Sequence, residues 1–168
     1  MPEPVDELSV LREHLERYRG VTLQTLEMVP EEKLPWYPAV AQFTFAQQFL
    51  HIAQTEEFYS RGIFDSAWDP KRFDEPKGRL TRAMLRRKLE DARQFTLQKL
   101  AEVNSGQLDR VVSVPDIPVQ WPLRSWLWYL IEHEIHHKAQ LALYLRQIGV
   151  TPPFFAYVLP PGVRPDIR

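Results

Sequence analysis

Residues 123–148, bracketed by Pro122 and Gly149, constrain this chain more than any other stretch. Proline is preorganised to start a helix and glycine to close one. Between them Trp126, Tyr129, Leu130, Leu141, Tyr144 and Ile148 recur at helical spacing and define a core-facing stripe. At about 100° per residue, His133 and His137 differ by about 40° and fall on that same stripe. They belong to the run His133-Glu134-Ile135-His136-His137-Lys138-Ala139-Gln140, which holds three of the five histidines. Burying an imidazole without a partner is costly. The partner that suits an i, i+4 pair is a divalent metal; the alternative is a histidine-rich helix satisfied by hydrogen bonds.

Three further helices follow from apolar periodicity and punctuation. The first is expected from about Asp6 to Met28, with Val10, Leu11, His14, Leu15, Tyr18, Val21, Thr25 and Leu26 on one side. The second runs from about Ala39 or Thr44 to Arg61, with Phe43, Ala46, Leu50, Ala53 and Phe58 as its stripe and Gly62 placed to end it. The third runs from a Thr81 cap to about Val103. The short link between the first two predicts antiparallel neighbours. The long link from Gly62 to Leu80 can cross the bundle, so helices two and three can run parallel. Residues 104–122 contain extended-looking apolar pieces, but their three prolines argue against a paired sheet. The expected fold is all-α: a single up-down-down-up four-helix bundle over residues 1–150, followed by a proline-rich extension over 151–168.

Several function classes are disfavoured by composition. A net charge of −1 gives no electrostatic reason to expect nucleic acid or an anionic membrane surface. No stretch approaches the roughly 20 apolar residues of a membrane span, and the first residues lack the basic-then-apolar order of a signal peptide. The expected location is the cytoplasm. The chain has no cysteine, so any thiol chemistry must use a thiol from outside.

A metal held by two histidines needs further donors. Outside the cluster only His14 and His51 remain. His51 falls at the edge of the second helix's buried stripe, beside Gln47 and Gln54, so polar material is turned inward there. His14 shares the buried face of the first helix with Tyr18 and reads as a hydrogen-bonded core histidine or pocket wall.

Leu34-Pro35-Trp36-Tyr37-Pro38, then Phe45 and Phe49-Leu50-His51-Ile52-Ala53 with Glu56 or Glu57 downstream, resembles the DinB/YfiT-like metal-dependent hydrolase superfamily. So does His133-x-x-x-His137-Lys-Ala-Gln140, followed by Leu141, Tyr144-Leu145-Arg146 and Gly149-Val150-x-Pro152-Pro153. The resemblance extends from the first helix through Pro153. It departs at Lys138 and Ala139, where arginine and glycine are common. It implies a four-helix bundle, frequent homodimers, and three histidines binding a divalent metal with open positions. Carried over, those ligands are His51, His133 and His137. Some members of the superfamily resemble S-transferases that use bacillithiol or mycothiol, and one branch isomerises maleylpyruvate.

A three-histidine metal lowers the pKa of bound water or thiol and acts as a Lewis acid. The expected activity is therefore a metal-dependent thiol S-transferase or hydrolase acting on small electrophilic molecules, in stress response or detoxification. The alternative is a non-catalytic metal- or ligand-binding bundle; a helical interaction module without metal ranks last. Zinc or nickel is favoured, with iron or manganese as alternatives, and bacillithiol is one candidate thiol. No protein nucleophile is expected. Gln47, Gln54, His136, Gln140, His14 and Tyr18 are the candidates for supporting ligands or lining the substrate pocket, whereas Glu132 and Glu134 point off the site face. A second apolar stripe on helix four (Trp128, Ile131, Ile135, Ala139, Ala142) predicts a homodimer. The rival cover is the tail, with Phe154, Phe155, Tyr157 and Val158.

Overall fold

A computed structural model describes residues 6–153. Asp6 caps α1 (Glu7–Met28), its carboxylate accepting from the Leu8 and Ser9 amides. The second helix, α2 (Phe45–Asp65), opens with a capping box between Thr44 and Gln47. Thr81 caps α3 (Arg82–Ala101) through the Met84 amide, and α4 (Leu123–Gln147) follows Pro122 directly. Gly149, at φ 80, supplies the left-handed turn that ends α4.

Cross-helix contacts fix the directions. Glu56, Ser60 and Asp65 of α2 meet Arg93, Thr96 and Lys99 of α3 in rising order, so these helices are parallel. Glu7 and Arg19 of α1 meet Arg124 and Glu134 of α4, also in rising order. Against α3, α1 runs antiparallel, with Arg19 reaching Leu89 and Arg82 reaching Val29. Likewise α4 is antiparallel to α2, since Tyr59 packs on Trp126 and Phe45 on Tyr144. The bundle is up-down-down-up, and the crossover between α2 and α3 carries only a short 3-10 turn at Pro70–Phe73.

Four expectations are corrected. Helices α1 and α2 are antiparallel but not neighbours: α1 packs on α3 and α4, α2 on the same two, and α1 and α2 face each other across the diagonal. Gly62 does not end α2, which continues to a left-handed Ser66 at φ 57; a Cβ at Gly62 would collide with the Trp68 ring instead. Phe43 precedes the helix and is exposed rather than part of its buried stripe. Finally, β1 (Val111–Ser113) and β2 (Gln120–Pro122) do form an antiparallel pair. Pro115 and Pro118 lie in its connecting loop, and Pro122 sits at the last pair, where a missing N–H costs little.

The core consists of two apolar clusters. One gathers Leu26, Phe45, Phe49, Leu89, Leu141 and Leu145; the other gathers Leu11, Leu15, Ile63, Leu100, Leu123 and Leu127. Between them lies a buried charged layer to which each helix contributes one residue: Arg19, Glu56, Arg93 and Glu134. Of the second stripe on α4, Ile131 and Ala142 are buried, Trp128 and Ile135 are half-buried against the second cluster, and Ala139 is exposed. Little of the stripe is left for a partner subunit, so the homodimer rests mainly on the family resemblance. The rival tail residues lie outside the described ones.

Candidate metal centre

Helices α2 and α4 lie antiparallel and adjacent, which brings His51 to His133 and His137. The ring centroids stand 5.0 Å (His51–His133), 4.8 Å (His51–His137) and 4.4 Å (His133–His137) apart. The Nε2 atoms of His51 and His133 are 3.2 Å apart. One candidate ligand atom from each residue fits within a 4.8 Å span, so the three could hold one metal ion. These are the three residues that the resemblance names as ligands, and the fold brings them together.

Their surroundings favour neutral rings. Burial, then the neighbouring His137 and His51, push His133 down to about 3. Burial, His51 and His136 push His137 down to about 4, and burial alone lowers His51. A neutral imidazole keeps a lone pair, which is what a cation needs. For His137 the choice of nitrogen is set: its Nδ1–H faces Gln48 Oε1 at 2.6 Å and Gln140 Oε1 at 3.1 Å, leaving Nε2 free for the cluster. The Gln48 amide donates in turn to Gln140 Oε1 at 2.9 Å, locking the pair. The donor set therefore fits a divalent metal: three neutral nitrogens, one of them oriented from behind.

Gln140 holds its expected place beside a ligand. Gln48 was missed, although its signal was present in a glutamine three residues before His51, one helical turn away. The other candidates fall elsewhere. Gln47 is consumed by the capping box and by Glu75 at 2.8 Å. Gln54 donates to the Asp74 carbonyl at 2.9 Å, tying the crossover to α2. His136 is exposed on the flank and accepts from the Gln140 amide at 3.1 Å. His14 donates through Nδ1 to the Val10 carbonyl at 2.9 Å and packs on Trp128, as a hydrogen-bonded helix histidine should. Tyr18 lies under the Lys138 ammonium at 5.0 Å. Neither reaches the three histidines, because α1 lies diagonally opposite α2 and meets the far flank of α4.

Glu134 is turned off the site, as expected, but into the charged layer rather than outward. Burial alone would raise its carboxyl; Arg19 and Arg93 overturn that and hold it at about 2. Burial likewise pulls the Arg19 guanidinium down, and Glu134 and Glu56 more than reverse it.

A helical bundle with a histidine from α2 and two from α4 defines a class of candidate metal-binding protein. The chain belongs to the DinB family, whose model matches residues 1–163. It is 24% identical over 144 residues to the uncharacterized protein YjoA of Bacillus subtilis strain 168, spanning 84% of this chain and 92% of that one. The crystal structure of that DinB-like protein superposes with a TM-score of 0.70 at 23% identity, covering 87% of this chain and 96% of the other. A DinB-like protein from Bacillus cereus ATCC 10987 superposes at 0.72 with 18% identity, covering 86% and 95%. At these identities the structures speak for the fold.

Proposed function

We propose that this chain is a metal-dependent enzyme, a thiol S-transferase or hydrolase acting on small electrophilic molecules. His51, His133 and His137 would hold a divalent cation, with zinc or nickel favoured and iron or manganese as alternatives. The observation that carries the reading is the orientation of His137: Gln48 and Gln140 engage Nδ1, so Nε2 is presented beside two other neutral imidazoles. When bound, such a cation supplies Lewis acidity and makes water or a thiol acidic at neutral pH.

The chain's own residues contribute position and environment. The Gln48–Gln140 pair fixes one ligand ring, and the charged layer behind α4 fixes the rotation of the helix that bears two of them. Tyr129, beside His133, is pushed up to about 12 by burial and by Tyr59, so it keeps its proton at physiological pH. With no cysteine in the chain, the attacking group is water or an external thiol such as bacillithiol. A cytoplasmic location, where small thiols stay reduced, fits this reading. No helix among the described residues is long and apolar enough to cross a membrane. A homodimer is proposed on the family resemblance.

Elemental analysis of protein purified without added metal, followed by assay of candidate thiols and water against a chromogenic electrophile, tests the reading. Stoichiometric metal with turnover supports it. Metal without turnover leaves the non-catalytic metal-binding bundle. A protein that neither carries nor takes up metal overturns both.

A further inference from the structure

Four aromatic side chains are exposed among the described residues: Tyr37, Phe43, Phe73 and Trp121. Two of them stand against His51, with Phe43 at 5.4 Å and Phe73 at 6.3 Å between ring centroids. On the α4 side Tyr129 packs on His133 at 6.0 Å, and Trp121 packs on Tyr129 at 6.2 Å. These rings come from four separate segments: the residue before the α2 cap, the crossover, β2 and α4. Phe43 and Phe73, 43% and 38% exposed, leave apolar surface in water beside the three histidines, and Trp121, 41% exposed, extends it through Tyr129.

Phe73 is held there by several anchors. Arg72 pairs with Glu57 at 2.5 Å, Gln54 binds the Asp74 carbonyl at 2.9 Å, and the Phe73 ring rests on Phe58 at 5.1 Å. A preorganised apolar wall loses little on binding a flat partner. Two arginines near these rings are already paired with carboxylates. Arg72 is committed to Glu57, and Arg124 to Glu7 at 2.9 Å and Asp109 at 3.0 Å. Glu132 stands on the wall of the roughly 360 Å³ cavity that Trp121, Trp128 and Tyr129 share, and it repels negative charge.

We propose that these rings bind a neutral, planar aromatic group of the substrate beside the three histidines. This rests on the metal-dependent reading above and narrows its substrate class to uncharged aromatic electrophiles. Offset or edge-on stacking on Phe43, Phe73 and Tyr129 supplies the recognition, each ring contributing about 0.5–1.5 kcal/mol, or roughly two- to twelvefold in affinity.

The test uses full-length protein, as isolated and after chelation, titrated with 2-naphthol and 2-naphthoate at pH 7 by calorimetry and saturation-transfer NMR. The two probes share a ring and differ in charge. The chelated protein should bind naphthol about tenfold or more tighter than naphthoate. Phe43→Ala and Phe73→Leu should each weaken naphthol roughly two- to twelvefold, with helicity and metal content unchanged. Equal affinity for the two probes, no binding of naphthol, or indifference to both substitutions overturns the proposal. Metal content on the same samples reports separately on the metal-dependent reading. Naphthol binding without metal uptake supports the aromatic site and removes the metal, and metal uptake without naphthol binding does the reverse.

Discussion

Arg19 of α1 and Glu134 of α4 meet at 2.8 Å inside the bundle, one residue along α4 from His133. Thr22 also donates to the carboxylate, at 2.6 Å, and Arg93 reaches it at 2.5 Å. With Glu56 these residues form a layer of two positive and two negative groups between the apolar clusters. A layer of this kind fits only one register of the four helices, so it also sets where His133 and His137 point.

Removing one member should therefore cost more than replacing the set. Glu134→Gln leaves Arg19 and Arg93 sharing a single carboxylate in the core, and the expected loss is about 3–5 kcal/mol of unfolding free energy. Denaturant unfolding measures it. Replacing all four residues by apolar ones of similar volume should cost far less than the single change, because desolvating the charges is itself expensive. A single variant as stable as wild type would show that the layer is not the pin described here.

Gln48→Ala removes the main acceptor of the His137 Nδ1–H without touching a ligand. Metal affinity should fall about 10- to 100-fold, the usual cost of losing an orienting partner, while His51→Ala, His133→Ala and His137→Ala should each lose stoichiometric metal. Competition against a chelating indicator separates the two magnitudes. Gln47→Ala should leave affinity unchanged, because that side chain caps α2 instead.

Much of this was legible in the residues because its causes are local. Asp6, Thr81, Pro122 and Gly149 mark helix ends by backbone chemistry alone, and the length of the link between the second and third helices allows a crossover. His133 and His137 declare themselves by being polar on an apolar stripe. What was not legible depends on which helices touch. Arg19, Glu56 and Arg93 each look like ordinary solvated charges until the diagonal placement of α1 and α2 brings them together. Gln47 and Gln54 are as polar as Gln48 and also lie within one helical turn of His51; only the path of the crossover assigns them to Glu75 and Asp74. The reach of Gly62 depends likewise on where Trp68 returns.

The metal-free protein should lose stability in acid in two windows. His133 and His137 have folded pKa values of about 3 and about 4, below the ordinary 6.5. Groups depressed by folding stabilise above the unfolded value, and that contribution fades as pH falls from 6.5 toward the folded values. Glu134, held at about 2 against an ordinary 4.5, adds a second loss between pH 4.5 and 2. The thermal midpoint should thus begin to drop below pH 6.5. In a His133→Gln, His137→Gln variant the fall between pH 6.5 and 4.5 should be flatter, with the lower window intact. A midpoint independent of pH between 6.5 and 4.5 in the metal-free wild type would contradict the buried, neutral state assigned to these rings.

Two glycines inside helices should respond to alanine with opposite signs. At Gly20, in α1, an added Cβ meets nothing within 4 Å, so Gly20→Ala should stabilise by about 1 kcal/mol through helix propensity. At Gly62 the same propensity gain is available, but the new Cβ would occupy the edge of the Trp68 ring, which is itself wedged against Phe58 and Tyr59. Overpacking typically costs about 1–3 kcal/mol, enough to cancel or exceed the gain. The strain falls on the segment that carries Phe73 to His51. Gly62→Ala should therefore lower the thermal midpoint and loosen the crossover, seen as faster amide exchange over residues 66–80. A gain in stability equal to that of Gly20→Ala would mean that Trp68 is free to move, and that the wall beside His51 is not anchored through it.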